Sequence, residues 1–134
     1  MTTVLLVDDS KLMRIANQRT LTKAGYQVLT AEDGMAAVQI ARDSEPDIIL
    51  LDLMLPKVGG LDVLHTLKND PRLSEIPVVV LTGLSQRNEA KLRAEGAAAF
   101  LEKTTILDNE MVLLELIEQL VAERENRKHQ LHVR

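Results

Sequence analysis

Four short apolar runs in this sequence end in residues able to do chemistry together. Asp8 and Asp9 follow Val4-Leu5-Leu6-Val7, and Asp52 follows Ile48-Ile49-Leu50-Leu51. Thr82 follows Val78-Val79-Val80-Leu81, and Lys103 comes just after the run at 98–101. Carboxylates brought close together repel, and without a counter-ion at least one holds a proton. A hard divalent cation relieves that conflict, and Mg2+ favours a few carboxylates, several waters and a phosphate oxygen. With a lysine and a hydroxyl nearby, the set supplies a nucleophile, a metal, a cation and a donor. Those are the parts of a phosphoryl transfer.

The elements must bring these residues to one place. Continuous apolar runs suit strands buried on both faces of a parallel sheet. Residues 26–30 form a weaker run, expected at a sheet edge, and 98–101 is Ala-rich and takes its strand assignment from its place in the pattern. Between the strands lie helical stretches at 10–24, 34–44, 60–69 and 85–95, with the last and longest at 107–127. Gly25 and Gly96 stop the first and fourth of these. The order βαβαβαβαβα implies an α/β fold with parallel strands and helices on both faces. Five strands suggest a doubly wound, flavodoxin-like (βα)5 sheet in strand order 2-1-3-4-5, where ligands bind beyond the carboxyl ends of the strands. The polar residues singled out above all sit at those ends.

Composition narrows the function. The 134 residues suit one compact domain, and one Tyr, one Phe and no Trp leave no aromatic platform for single-stranded nucleic acid. A net charge of −4 gives no electrostatic footprint for duplex DNA. The absence of cysteine excludes disulfide and thiol chemistry. The apolar runs are too short to cross a bilayer, and the N-terminus lacks the pattern of a signal peptide, so a cytoplasmic location is expected.

In their order the motifs resemble those of response-regulator receiver domains from two-component signalling. They are Val-Asp8-Asp9-Ser, Leu-Leu51-Asp52-Leu-Met-Leu-Pro56, Gly59-Gly60, Leu-Thr82-Gly83 and Phe100-Leu-Glu-Lys103, and the likeness runs from about residue 3 to 122. The resemblance implies that Asp52 is the phosphoacceptor. It implies Mg2+ (or Mn2+ in its place) held by Asp8, Asp9, Asp52 and the backbone carbonyl of Met54. Thr82, Gly83 and Lys103 would bind the phosphoryl group, with Asp52, Lys103 and Thr82 carrying the chemistry, and Phe100 would stand where the family has its rotating aromatic. The donor would be a sensor histidine kinase or a histidine phosphotransfer protein. The output, a downstream protein or a second copy of the chain, would dock on helix 4, strand 5 and helix 5. Such a domain is a switch rather than an enzyme, apart from catalysing its own phosphorylation and dephosphorylation. The family usually has Pro, in a cis bond, after this lysine. Thr104 follows here, and a cis bond to a non-proline residue costs about 3 kcal/mol. The loop after strand five is therefore expected to be trans and rearranged, or strained.

Plainer roles exist for each residue alone. Asp8, Asp9 and Ser10 precede a helix and could simply cap it; Thr82 and Lys103 could be ordinary strand-end and surface residues. Asp52, closing a wholly apolar strand, has no evident capping role. A phosphorylation-independent binding module is one competing function. A haloacid-dehalogenase-like phosphatase is a weaker one, because its nucleophile usually follows the first strand in an Asp-x-Asp pattern. His65, His129 and His132 read as solvated. The receiver is expected over 1–123, with 124–134 a polar helix end. Val112, Leu113, Leu114, Leu116, Ile117, Leu120 and Val121 cover more of the last helix than the stripe of somewhat over ~100° that one buried side needs, which suggests a partner surface. Met54 and Leu84 are apolar and cannot orient an attacking water, so a long-lived phosphoryl group is expected.

Overall fold

The computed structural model describes residues 1–55, 59–83 and 89–132. Pro56 and Leu84 lie outside them, as does the start of the helix expected at 85–95. In chain order the elements are β1 (Thr3–Val7), α1 (Lys11–Lys23), β2 (Gln27–Ala31), α2 (Gly34–Ser44), β3 (Ile48–Asp52), α3 (Gly60–Asn69), β4 (Val78–Thr82), α4 (Glu89–Ala94), β5 (Ala99–Glu102), α5 (Lys103–Asp108) and α6 (Met111–His132). The sheet runs β2-β1-β3-β4-β5 with every pairing parallel, as the alternation of runs implies. The weak run at β2 is an edge strand.

Strand alternation divides the apolar residues into two cores. Leu5, Val7, Ile49, Leu51, Val78 and Val80 face one side with Leu64 and Leu67 of α3. Val4, Leu6, Ile48, Leu50, Val79 and Leu81 face the other with Leu21 of α1 and Leu113 and Ile117 of α6. Burying each large aliphatic side chain contributes about 1.5–3 kcal/mol, so the two layers supply most of the drive to fold. Central strands covered on both faces hold their tips in fixed register, and that register places the site.

Local chemistry sets the helix starts and stops. Ser10 Oγ accepts from the Met13 N–H at 3.3 Å, and Asp33 Oδ1 from the Ala36 N–H at 2.9 Å, each capping its helix. Gly25, at φ +98°, ends α1 in the left-handed region that favours glycine.

The last helix differs from the expectation. Instead of one helix over 107–127, α5 begins at Lys103 directly after β5, and a break separates it from α6. Asn109 is extended there (φ −153°, ψ 96°), and its Oδ1 accepts from the Met111 N–H at 3.1 Å. Burial of Ile106 against the α6 side of the sheet gives the short α5 its anchor. The boundary expected between 123 and 124 falls within α6, where Arg124 Nη1 donates to the Asp47 carbonyl at 3.2 Å. The seven apolar α6 residues are all buried or partly covered rather than exposed.

Candidate functional site

Asp8 leaves the end of β1, Asp52 ends β3 and Thr82 ends β4, so three adjacent strand tips contribute to one rim. One carboxylate oxygen from each of Asp8, Asp9 and Asp52 falls within 4.8 Å of the others. Asp8 and Asp52 are buried, whereas Asp9 is exposed and opens the cluster to solvent. Lys103 enters from the first position of α5, its Nζ 2.8 Å from Asp52 Oδ2 and 3.8 Å from Asp8 Oδ2. Thr82 is buried beside Glu102 in the strand register. Gly83 is exposed, with open space where a Cβ would stand.

Nearly every polar atom of Asp8 is engaged. Its N–H donates to the Ala31 carbonyl at 3.1 Å, its own carbonyl accepts from Arg14 Nη1 at 2.9 Å, and Oδ1 accepts from the Ser10 N–H at 2.9 Å. Oδ2 is buried and has no hydrogen-bond partner among the described residues. Burial pushes the Asp8 carboxyl above its ordinary range. The Ser10 N–H and Lys103 oppose that rise, while Asp52 and Asp9 add to it. Asp52 is satisfied at both oxygens, Oδ1 by the Met54 N–H at 3.0 Å and Oδ2 by Lys103.

These donors fit a hard divalent cation. A buried carboxylate oxygen without a hydrogen bond, beside two further carboxylates and with only Lys103 at 3.8 Å to offset its charge, is costly unless more positive charge meets it. The oxygen-only set suits Mg2+ or Mn2+ rather than a softer metal. The contact recorded for the Met54 backbone is made by its N–H.

On β5, Phe100 lies opposite Val80, so its ring shares the sheet face of Val80 and Thr82. The Arg93 guanidinium of α4 sits over that ring, 5.0 Å from its centre. The Lys103–Thr104 bond is trans, since no cis peptide occurs among the described residues. The expected rearrangement takes the form of a helix beginning at the lysine itself, and Lys103 still reaches Asp52. Sequence reasoning missed Arg14 and Arg93. A basic residue one turn into α1 was visible, but its reach back to the Asp8 carbonyl depends on the turn between β1 and α1.

The family model for the response regulator receiver domain matches residues 4–118. The chain belongs to that family. It is therefore a receiver domain of two-component signalling, a signalling switch in kind. This receiver is 34% identical over 101 residues to the polar-differentiation response regulator DivK of Brucella anthropi, covering 75% of this chain and 82% of the relative. Among solved structures it resembles the chemotaxis protein CheY4 of Vibrio cholerae at 30% identity and a TM-score of 0.82, covering 90% of this receiver and 98% of that chain. It also resembles the response regulator TrrA of Thermotoga maritima, solved in complex with Mg2+ and BeF, at 26% identity and a TM-score of 0.79, covering 90% and 99%. Among the described residues no helix is long and apolar enough to cross a membrane.

Proposed function

We propose that this receiver is a phosphoryl-accepting switch with Asp52 as the acceptor. The observation that carries the reading is the Asp8, Asp9 and Asp52 cluster, within 4.8 Å, with Lys103 Nζ 2.8 Å from Asp52. An Asp52 carboxylate oxygen forms the new P–O bond while the P–N bond of a donor phosphohistidine breaks, and the imidazole leaves with the electron pair and takes up a proton. Asp8, Asp9, Asp52 and the Met54 carbonyl would hold Mg2+, which would supply charge neutralisation for this transfer. Lys103 then pairs with a phosphoryl oxygen, and Thr82 donates its hydroxyl to another beside the Gly83 backbone. Water later attacks phosphorus, restoring the carboxylate and releasing inorganic phosphate.

The added charge draws Thr82 toward the phosphoryl group while Lys103, already on Asp52, shifts to a phosphoryl oxygen, and Phe100 repacks with them. The output face is built from α4, β5, α5 and the first turns of α6. A phosphorylated histidine on a sensor kinase or phosphotransfer protein is the donor, and a downstream protein or a second copy of the chain is the reader. The receiver works in the cytoplasm. As a two-state population shift, this requires a reader that binds the two forms differently.

The test is phosphorylation by acetyl phosphate with and without Mg2+, followed by intact mass. Wild type should gain one phosphoryl group only with the metal, and Asp52→Asn should gain none. Equal modification of both proteins would refute Asp52 as acceptor. Steady turnover of a simple phosphate ester would point to a phosphatase instead.

A further inference from the structure

The geometry points to Arg14 as a positioning residue that aims Asp8 into the acidic cluster and so sets its affinity for a divalent cation. This inference rests on the reading of that cluster as a cation site. Arg14 lies on the first turn of α1, where its N–H donates to the Ser10 carbonyl at 2.9 Å as the helix begins. Its guanidinium turns back, donating through Nη1 to the Asp8 carbonyl at 2.9 Å and through Nη2 to Glu32 Oε1 at 3.0 Å. The Arg14 side chain is only 12% exposed, whereas that of Glu32 is 74% exposed. The exposed ion pair contributes little by itself, so the sheltered bond to Asp8 is the one that matters.

Arg14 closes a set of constraints on a single residue. Asp8 is tied at its N–H to Ala31, at its carbonyl to Arg14 and at Oδ1 to the Ser10 N–H. Only Oδ2 remains without a hydrogen-bond partner, and it lies 3.8 Å from Lys103 Nζ, in the cluster with Asp9 and Asp52. Without the guanidinium the Asp8 carbonyl loses its bond, the turn relaxes, and the direction of Oδ2 is no longer fixed. The planar fork of arginine serves two acceptors on different loops at once, which one lysine ammonium does poorly. Neighbours of this kind, which orient metal ligands without touching the metal, typically alter affinity 10- to 100-fold.

Charge and geometry predict opposite results, which makes the test sharp. Removing a nearby positive charge should by itself strengthen cation binding. Weaker binding in Arg14→Gln therefore has to come from lost positioning. Mg2+ affinity would be measured by titration calorimetry on wild type, Arg14→Gln and Arg14→Lys, well below their metal-free melting midpoints. The expected result is roughly ten-fold or greater weakening for Arg14→Gln and a smaller loss for Arg14→Lys. A purely structural arginine would lower the melting midpoint in chelator and leave the affinity of the folded protein unchanged. Equal or tighter binding in Arg14→Gln overturns the inference. Should Arg14→Gln not fold, Arg14→Lys decides, because it retains the charge and wild-type affinity in it also overturns the inference. If wild type itself fails to bind Mg2+, the cation-site reading falls rather than the role of Arg14 within it.

Discussion

Arg93 and Phe100 are stacked across the gap between α4 and β5, with the guanidinium carbon 5.0 Å from the ring centre. A cation over a partly exposed ring contributes about 0.5–1 kcal/mol, which corresponds to roughly a two- to five-fold change in a two-state balance. Phe100 is the only phenylalanine in the chain, so phenylalanine labelled only at the para ring carbon gives a single NMR signal. Arg93→Gln is expected to move that signal, before any phosphodonor is added, toward its position with Mg2+ and beryllofluoride. An unmoved ring signal would mean that the stack does not hold the ring.

Gly60 and Gly59 make a matched pair. A Cβ on Gly60 would stand 2.5 Å from the Asp52 carbonyl oxygen and 2.6 Å from Leu53 Cα, both backbone atoms, whereas one on Gly59 would meet nothing within 4 Å. Gly60→Ala is expected to cost ~2 kcal/mol or more and to displace the strand end carrying Asp52. Gly59→Ala should cost under ~1 kcal/mol. Denaturant unfolding of both checks this, and equal costs would contradict the close approach of α3 to the tip of β3.

Asp8 makes the metal-free protein sensitive to pH. Its carboxyl is raised, first by burial, from an ordinary value of 3.8. A raised acid favours the fold only when protonated. Its contribution is complete below 3.8 and is lost as pH rises through the raised value. In chelator at neutral pH, Asp8→Asn should therefore be more stable than wild type by ~1 kcal/mol or more. The gap should close as pH falls, and Mg2+ should stabilise wild type alone. Melting midpoints across that range test the sign, and a gap that widens in acid would reverse it.

Lys103 pairs with the carboxylates that a divalent ion would take, Asp52 at 2.8 Å and Asp8 at 3.8 Å. Lys103→Met is expected to tighten Mg2+ binding roughly three-fold or more, because a unit charge ~4 Å away costs on the order of 1 kcal/mol even in water. Phosphorylation of the same variant by acetyl phosphate should slow. Unchanged Mg2+ affinity would show that Lys103 does not share the site electrostatically.

Met54, exposed two residues beyond Asp52, has no group that could hold a water by hydrogen bonding. A phosphoryl lifetime of minutes or longer is expected from radiolabel decay, and loss within seconds would contradict it.

The sheet order and the meeting of Asp8, Asp9, Asp52 and Lys103 were legible because each central strand is an unbroken apolar run. Such a run has one polar end at each tip, and parallel pairing places the carboxyl ends together. The break before α6 was not legible. Asp108, Asn109 and Glu110 are tolerated in helices, and only the Asn109 side chain bonding to the Met111 N–H shows that the backbone turns out there. Arg14 and Arg93 escaped for a related reason. A long cationic side chain signals only its charge, and its target depends on loop shapes that periodicity does not encode.

The extended residue at Asn109 gives the six-residue helix that starts at Lys103 a joint of its own. The long helix beyond it is fastened just before its start, where Thr20 Oγ1 donates to Glu110 Oε2 at 3.0 Å, and again past its middle, where Arg124 donates to the Asp47 carbonyl. With Ile106 buried as the anchor of that short helix, a displacement of Lys103 is expected to be taken up at this joint rather than along α6.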